Sequence, residues 1–193
     1  METFHSDHFD GLGESIAVDL GRGKVVGWLQ GRFENGPRAL GNRSLLVDPS
    51  HVAATARLSQ RVKRRAAFRP YACSLRAEKF QEVFHTRDGK TPIAARWMSA
   101  ILPVREDVRS QLPFAVHIDG TTRPQVLARS ENPRYHRLME AWEQTSGRPA
   151  LLNTSMNEAG FPMVSSPTDA VLMFLRTDME TLVLNNTILR KEF

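Results

Sequence analysis

Gly36-Pro37-Arg38-Ala39-Leu40-Gly41-Asn42-Arg43-Ser44, followed at once by Leu45-Leu46-Val47, reads as a tight loop feeding a strand. The two glycines permit backbone angles and close approaches that a side chain would block. Pro37 fixes one backbone angle ahead of the turn. Arg38 and Arg43 supply two planar forks that suit phosphate or carboxylate oxygens. A loop of this composition can hold an anion against the main chain. Arginines beside a turn also serve as plain surface charge, so the loop by itself leaves both readings open.

The same chemistry recurs in three further places. Val62-Lys63-Arg64-Arg65-Ala66-Ala67-Phe68-Arg69-Pro70 sets four cations ahead of a strand-like run, Tyr71 to Leu75. Residues Val116 to Val126 read as two short strands about an Asp119-Gly120 turn, with Arg123 on the return strand. Ala150 to Asn157 is a strand that ends in amides and hydroxyls. Open α/β sheets bind ligands at such strand ends. The four segments together point to one shared anionic site.

In this order, the four segments resemble the C-terminal domain of the carbamoyltransferases that decorate nodulation factors, cephamycins, novobiocin and tobramycin. The resemblance runs from about Gly23 to Ile188. It is carried by Glu34 with Gly36 to Ser44, by Lys63 and Arg65 with Phe68-Arg69-Pro70, by His117 to Thr121 with Arg123 and Gln125, and by Leu152 to Ser155 with Asn157. It implies an α/β fold of the YrdC-like kind, a twisted mixed sheet flanked by helices. It also implies an activity, the formation of carbamoyl-adenylate from ATP and carbamoyl phosphate.

Joining carbamate to the α-phosphate of ATP crowds negative groups, and fixed cations and donors must neutralise them. Resemblance and spacing make Lys63, Arg69 and Arg38 the candidate catalytic cations. Arg123, Ser155, Asn153 and Asn157 become candidate contacts for ATP and the carbamoyl group. Arg43 and Arg65 either touch ligand or pair with Glu34 or Asp48. His117 sits in an apolar stretch two residues before Asp119, where it can donate to a phosphate or serve as a structural histidine. The histidines form no convincing metal set. Mg²⁺ is expected with ATP, held mainly by phosphates and water.

Two positions depart from the family pattern. The usual glutamate after the Lys-x-Arg pair is Ala66, which removes one expected partner of Arg65 or Arg69. The usual Phe of the last motif is Met156, a tolerable packing replacement. Full-length relatives also carry a Kae1-like domain in which the carbamoyl group reaches its acceptor hydroxyl. This chain has few residues ahead of the shared region, so the resemblance implies a stand-alone activating subunit paired with a separate Kae1-like transferase subunit. Two other readings compete: a non-catalytic module that binds nucleotide or carbamoyl phosphate, or scaffolds, and an RNA-binding module.

Composition bounds these choices. The 193 residues are 41% hydrophobic and 24% charged, which suits one domain spanning 1–193 with a proper core. Lone Cys73, in a strand-like run, excludes an internal disulfide, fits a reducing cytoplasm and reads as a buried small hydrophobe. No apolar run reaches membrane length, and residues 1–14 read as a flexible arm. The net charge is +5, and of the 26 basic residues five are lysine. The arginines are dispersed, which disfavours a nucleic-acid groove.

Periodicity predicts helices over 15–20, 52–65, 77–84, 133–145 and 167–175. Asn132 and Ser166 stand where N-caps belong. Strands are expected over 24–29, 44–48, 94–104, 114–118 and 150–153. A closing hairpin turns at Asn185-Asn186.

Overall fold

Alternation along the strands builds the sheet and its two faces. The computed structural model describes residues 2–5, 9–34, 36–66, 68–86 and 88–191. Its strands are β1 (Glu2–His5), β2 (Val26–Leu29), β3 (Arg43–Val47), β4 (Ala72–Arg76), β5 (Leu102–Pro103), β6 (Thr121–Thr122), β7 (Pro124–Leu127), β8 (Ala150–Ser155), β9 (Thr181–Leu184) and β10 (Thr187–Arg190). The helices are α1 (Phe9–Gly21), α2 (Val52–Arg57), α3 (Phe80–Val83), α4 (Glu106–Arg109), α5 (Pro133–Ser146) and α6 (Pro167–Arg176). Eight strands form one mixed sheet in the order β1-β10-β9-β2-β3-β8-β4-β7. The pairs β2–β9 and β4–β7 are parallel and the rest antiparallel. Strands β5 and β6 make a separate short ribbon.

Successive side chains on a strand face opposite ways. Leu46, Leu151 and Val183 therefore pack under α1 and α5, against Leu12, Ile16, Leu20, Tyr135, Leu138 and Trp142. Leu45, Val47, Leu152 and Leu182 face the other way, against Leu58, Val62, Met173 and Phe174. A third cluster joins Cys73 and Leu75 to Phe80, Phe84, Val104 and Leu112. Cys73 is fully buried there, and burial pushes its thiol up to about 12, so it stays protonated and apolar. Among the described residues, no helix is long and apolar enough to cross a membrane.

Local chemistry sets the clearest boundaries. Asn132 accepts from the Tyr135 amide at the start of α5, Pro133 opens the helix, and Gly147 closes it with φ +70°. Ser166 and Asp169 form a reciprocal capping box on α6. The closing hairpin turns at Asn185, whose φ is +51°.

Three expectations are corrected. Residues 1–14 are not an arm in their described parts: β1 pairs with β10, and α1 already begins at Phe9. Gly11 and Gly13 each cost a helix about 0.5–1 kcal/mol. Burying Leu12, Ile16 and Leu20, all at 0% exposure, contributes about 1.5–3 kcal/mol each, and the packing wins. His8 and Ala67 lie outside the described residues.

The apolar run 94–104 is not a strand. Ile93–Trp97 is a short 3₁₀ helix ended by Met98 at φ +53°, and only Leu102–Pro103 and Val104, which bridges to Phe84, pair as strand. Likewise 114–118 contains no strand. The amides of Ala115 and Val116 return to the Leu112 carbonyl and that of His117 to the Thr121 carbonyl, while Phe114 bonds the backbone of Pro49 and Tyr71, so the segment turns and pairs with no strand. A continuous apolar stretch carries no period that separates these cases.

Candidate functional site

The loop 36–44 owes its shape to a carboxylate. Glu34 Oε1 accepts from the amides of Leu40 at 2.7 Å, Asn42 at 2.7 Å and Arg43 at 3.1 Å. Gly41 takes φ +98°. Its carbonyl accepts from Trp28 Nε1 at 2.9 Å, and its amide donates to Ser44 Oγ at 3.1 Å. Asn132, the cap of α5, also donates to Asn42 Oδ1. Glu34→Ala leaves three amides without their acceptor, at about 1–3 kcal/mol for a buried donor. Chemical denaturation should therefore register a loss of several kcal/mol, whereas a change near zero would mean that water replaces the carboxylate.

Arg43 lies outside the cavity that the loop borders. Its Nη1 donates to the carbonyls of Gln30 at 2.7 Å and Asn42 at 3.0 Å, and its Nη2 to that of Gly31 at 3.2 Å. It is buried beside Glu34 and holds loop backbone. Its guanidinium is not among the groups lining the cavity.

The remaining cations converge. Arg38, Lys63, Arg65, Arg69 and Arg123, with His117, Ser155 and Asn157, line one cavity of about 620 Å³. Among the described residues, no carboxylate lines it. Asn153 stands apart, in a smaller adjoining pocket shared with Arg38, Arg123 and Ser155.

Lys63 is positioned by a break in helix regularity. Helix α2 widens into a π-helical turn over Leu58–Val62, and the Lys63 amide bonds the Leu58 carbonyl five residues back. Its ammonium donates to the Ser155 carbonyl at 2.7 Å, to Ser155 Oγ at 3.1 Å and to Asn157 Oδ1 at 2.7 Å. All three acceptors are neutral. Asn157 is itself oriented by donating to the carbonyls of Glu158 and Phe161. Burial, reinforced by Arg65 and Arg69, lowers the Lys63 pKa to about 7.

The arginines differ in their support. Arg65 stacks 3.7 Å above the centre of the Tyr71 ring and donates to the Arg69 and Pro70 carbonyls. With exposed Ala66 beside it, the ring and these carbonyls hold Arg65 where a carboxylate is missing. Arg64 takes φ +49° and turns to Glu158, away from the cavity. Arg123 is partly buried, and its Nε has no hydrogen-bond partner among the described residues. Desolvation lowers the pKa of Arg123, as do Arg38 and Arg65. Clustered, half-desolvated cations without counter-charge mark an anion site.

Beside the cations lies an apolar annex of about 380 Å³ walled by Phe68, Pro70, Tyr71, Phe114, Val116 and Ile118. Phe68 is 86% exposed at the border of the two cavities. Tyr71 and the annex escaped sequence reasoning, because their contacts join segments far apart in the chain. His117 Nδ1 lies 3.3 Å from Thr121 Oγ1, with its ring at the shared edge of both cavities. Among the described residues, no group of three or more His, Cys, Asp or Glu side chains is placed to hold a metal ion.

Residues 17–191 match the family described as Carbamoyltransferase C-terminus. The chain belongs to this family. It is 40% identical over 182 residues to nodulation protein NolNO of Sinorhizobium fredii, covering 94% of the chain and 26% of that protein. It is 37% identical over 185 residues to the 3'-hydroxymethylcephem-O-carbamoyltransferase of Streptomyces clavuligerus, covering 92% of the chain and 34% of the enzyme. The carbamoyltransferase domain thus spans about a quarter to a third of the length of these curated relatives.

Among solved structures, full-length HypF in its phosphate- and nucleotide-bound form aligns with a TM-score of 0.63 at 20% identity, over 91% of this chain and 25% of that one. P. abyssi Sua5 complexed with L-threonine aligns with a TM-score of 0.63 at 16% identity, over 92% and 47%. At these identities the likeness establishes the YrdC/Sua5-like fold that the sequence led us to expect.

Proposed function

We propose that this domain activates carbamoyl phosphate with ATP, forming carbamoyl-adenylate for transfer to a hydroxyl group of a small natural product. One observation carries the reading: among the described residues, five cations and no carboxylate line a cavity that opens onto an apolar annex. Phosphates suit the first and a nucleobase the second. Membership of a carbamoyltransferase family supports the carbamoyl group as the cargo.

The chemistry divides into two steps. Water splits carbamoyl phosphate into carbamate and phosphate. A carbamate oxygen then attacks the α-phosphorus of ATP, the bond to the bridging oxygen breaks, and pyrophosphate leaves. Lys63 provides a compact charge for a phosphoryl oxygen, while Arg38, Arg69 and Arg123 each grip two oxygens. These groups stabilise charge as it shifts toward pyrophosphate. Ser155 and Asn157 hold Lys63 in place. The described lining offers no carboxylate to a metal, so Mg²⁺ accompanying the triphosphate would be held by phosphate oxygens and water. The adenylate passes to a Kae1-like transferase subunit, and close docking keeps water from the labile anhydride.

Exchange of labelled pyrophosphate into ATP, dependent on carbamoyl phosphate, tests the proposal. ATP binding without exchange would leave a nucleotide-binding or scaffolding module instead. The pH dependence follows from Lys63. Its pKa near 7 in the free site rises when an anion pairs with it, so binding takes up a proton above neutrality. Pyrophosphate affinity, measured by calorimetry from pH 6 to 9, is expected to fall as pH rises past 7, by up to about tenfold per unit.

A further inference from the structure

Lys63 differs from the other four lysines in what surrounds its charge. Its ammonium meets the Ser155 carbonyl at 2.7 Å, Ser155 Oγ at 3.1 Å and Asn157 Oδ1 at 2.7 Å, all neutral. Arg38, Arg65, Arg69 and Arg123 line the same cavity, and among the described residues no carboxylate does. Lys24 instead pairs with Asp19 at 2.9 Å, and Lys79 with Glu82 at 2.8 Å and Glu143 at 2.7 Å. Lys90 is exposed. Lys191 donates to the Phe174 and Thr177 carbonyls, with Asp178 and Glu180 near enough to favour its charge.

The hydrogen bonds around Lys63 leave its nitrogen open once it gives up a proton. Asn157 Nδ2 donates to the Glu158 carbonyl at 3.0 Å and to the Phe161 carbonyl at 2.8 Å, which fixes Oδ1 as the atom that faces Lys63. The Ser155 hydroxyl gives its only proton to that Oδ1, at 2.6 Å. The Ser155 carbonyl has no proton to give. None of the three partners can therefore donate to a neutral Lys63 nitrogen. Its lone pair stays uncapped, on a side chain that lines a cavity of about 620 Å³. A desolvated amine beside other cations is the form in which lysine acts as a nucleophile. Burial, with Arg65 and Arg69, holds the Lys63 pKa at about 7 and so keeps that form populated.

We propose that Lys63 is a covalent carbamoylation site, modified by isocyanic acid, the small electrophile that carbamoyl phosphate releases as it breaks down. In that breakdown the C–O bond to phosphate breaks and one NH₂ proton ends on the phosphate, which leaves HN=C=O. The Lys63 lone pair then attacks the carbon and a new N–C bond forms. The C=N π pair moves to the isocyanate nitrogen, which takes up the proton that Nζ gives up. The product, Lys–NH–CO–NH₂, is a neutral urea, too unreactive to pass its carbamoyl group on. Modification thus removes one of the five cations and silences the site when the substrate decays. The arginines raise the local concentration of cyanate, the conjugate base of the electrophile. The source of the electrophile rests on the carbamoyl phosphate reading above, whereas the reactivity of Lys63 does not.

Potassium cyanate at neutral pH is the probe. Peptide mapping by mass spectrometry follows the addition of one HNCO at each of the five lysines over time. Lys63 is expected to be the fastest of them, and about ten- to a hundredfold faster than exposed Lys90, because an ordinary lysine is almost wholly charged at that pH. Asn157→Asp sets a carboxylate against the ammonium and should slow Lys63 to about the rate of Lys90. Lys63 reacting no faster than Lys90 overturns the inference, as does an Asn157→Asp rate equal to the parent's. If the aspartate variant does not fold, the ranking of lysines in the parent decides alone. Selective modification without carbamoyl phosphate-dependent pyrophosphate exchange would remove the adenylation reading and leave the reactive lysine standing; exchange with a slow Lys63 would do the reverse.

Discussion

Lys63→Met is expected to lower carbamoyl phosphate-dependent pyrophosphate exchange by about a hundred- to a thousandfold, the usual cost of removing one preorganised charge from a developing anion. The side chain is only 6% exposed, and its ammonium meets neutral oxygens alone. Its charge thus serves the ligand more than the fold. The pH dependence separates the two roles. The folded-state pKa near 7 lies below the ordinary value of 10.5, so the unfolded chain binds more protons between these values. Stability of the ligand-free domain should therefore rise with pH across that window and be lowest below it. Methionine removes this dependence, and the variant should melt at neutral pH within a few degrees of the parent or above it. Thermal melts from pH 6 to 9, run beside the exchange assay, check both parts. Loss of fold in parallel with activity would make Lys63 a structural residue.

Gly41→Val should do the opposite and damage fold and activity together. A Cβ at this position would stand 2.2 Å from Cδ1 of Tyr135, whose ring is fully buried between Trp28 and Leu138. The backbone at φ +98° also lies where L side chains rarely go, and a β-branched residue is the least tolerated there. Strain of about 1–3 kcal/mol adds to overpacking of about 1–3 kcal/mol. Together they take a large share of the roughly 5–15 kcal/mol that holds a domain folded. Denaturant titration should register the whole loss. Addition of pyrophosphate should recover part of it if the fold survives, because the ligand binds the native state alone. A variant as stable as the parent would show that loop 36–44 can move away from α5.

Both predictions concern positions that the sequence marks strongly. Gly41 could be read there because two glycines and a proline in nine residues demand a tight turn. Lys63, Arg38, Arg69 and Arg123 could be read because planar and compact cations recur beside strand ends. Arg43 looked equivalent to Arg38, and only the fold separates them. Arg43 begins β3 with its side chain turned to the carbonyls of Gln30 and Gly31, while Arg38 sits at the exposed tip of the loop. The strands expected over 94–104 and 114–118 failed for a related reason. Ala95, Leu102, Val104 and Ala115 are buried in the third cluster while Trp97, Ile101 and Ile118 stay exposed, and burial does not require extension where the backbone turns.

The sequence by itself determined the α/β class, the caps of α5 and α6, the closing hairpin and the cations that gather at one cavity. These depend on neighbours a few residues apart, where side-chain geometry and backbone preference act directly. Tertiary structure decided the rest. It made a helix of a glycine-bearing N-terminal segment by burying Leu12, Ile16 and Leu20 against α5. It turned Arg43 to loop carbonyls outside the cavity, stacked Arg65 on Tyr71 and turned the Asn153 amide through contacts with Gln125 and Ser74. Each of these outcomes depends on groups far apart in the chain being desolvated together, and that requirement exists only once the sheet has formed.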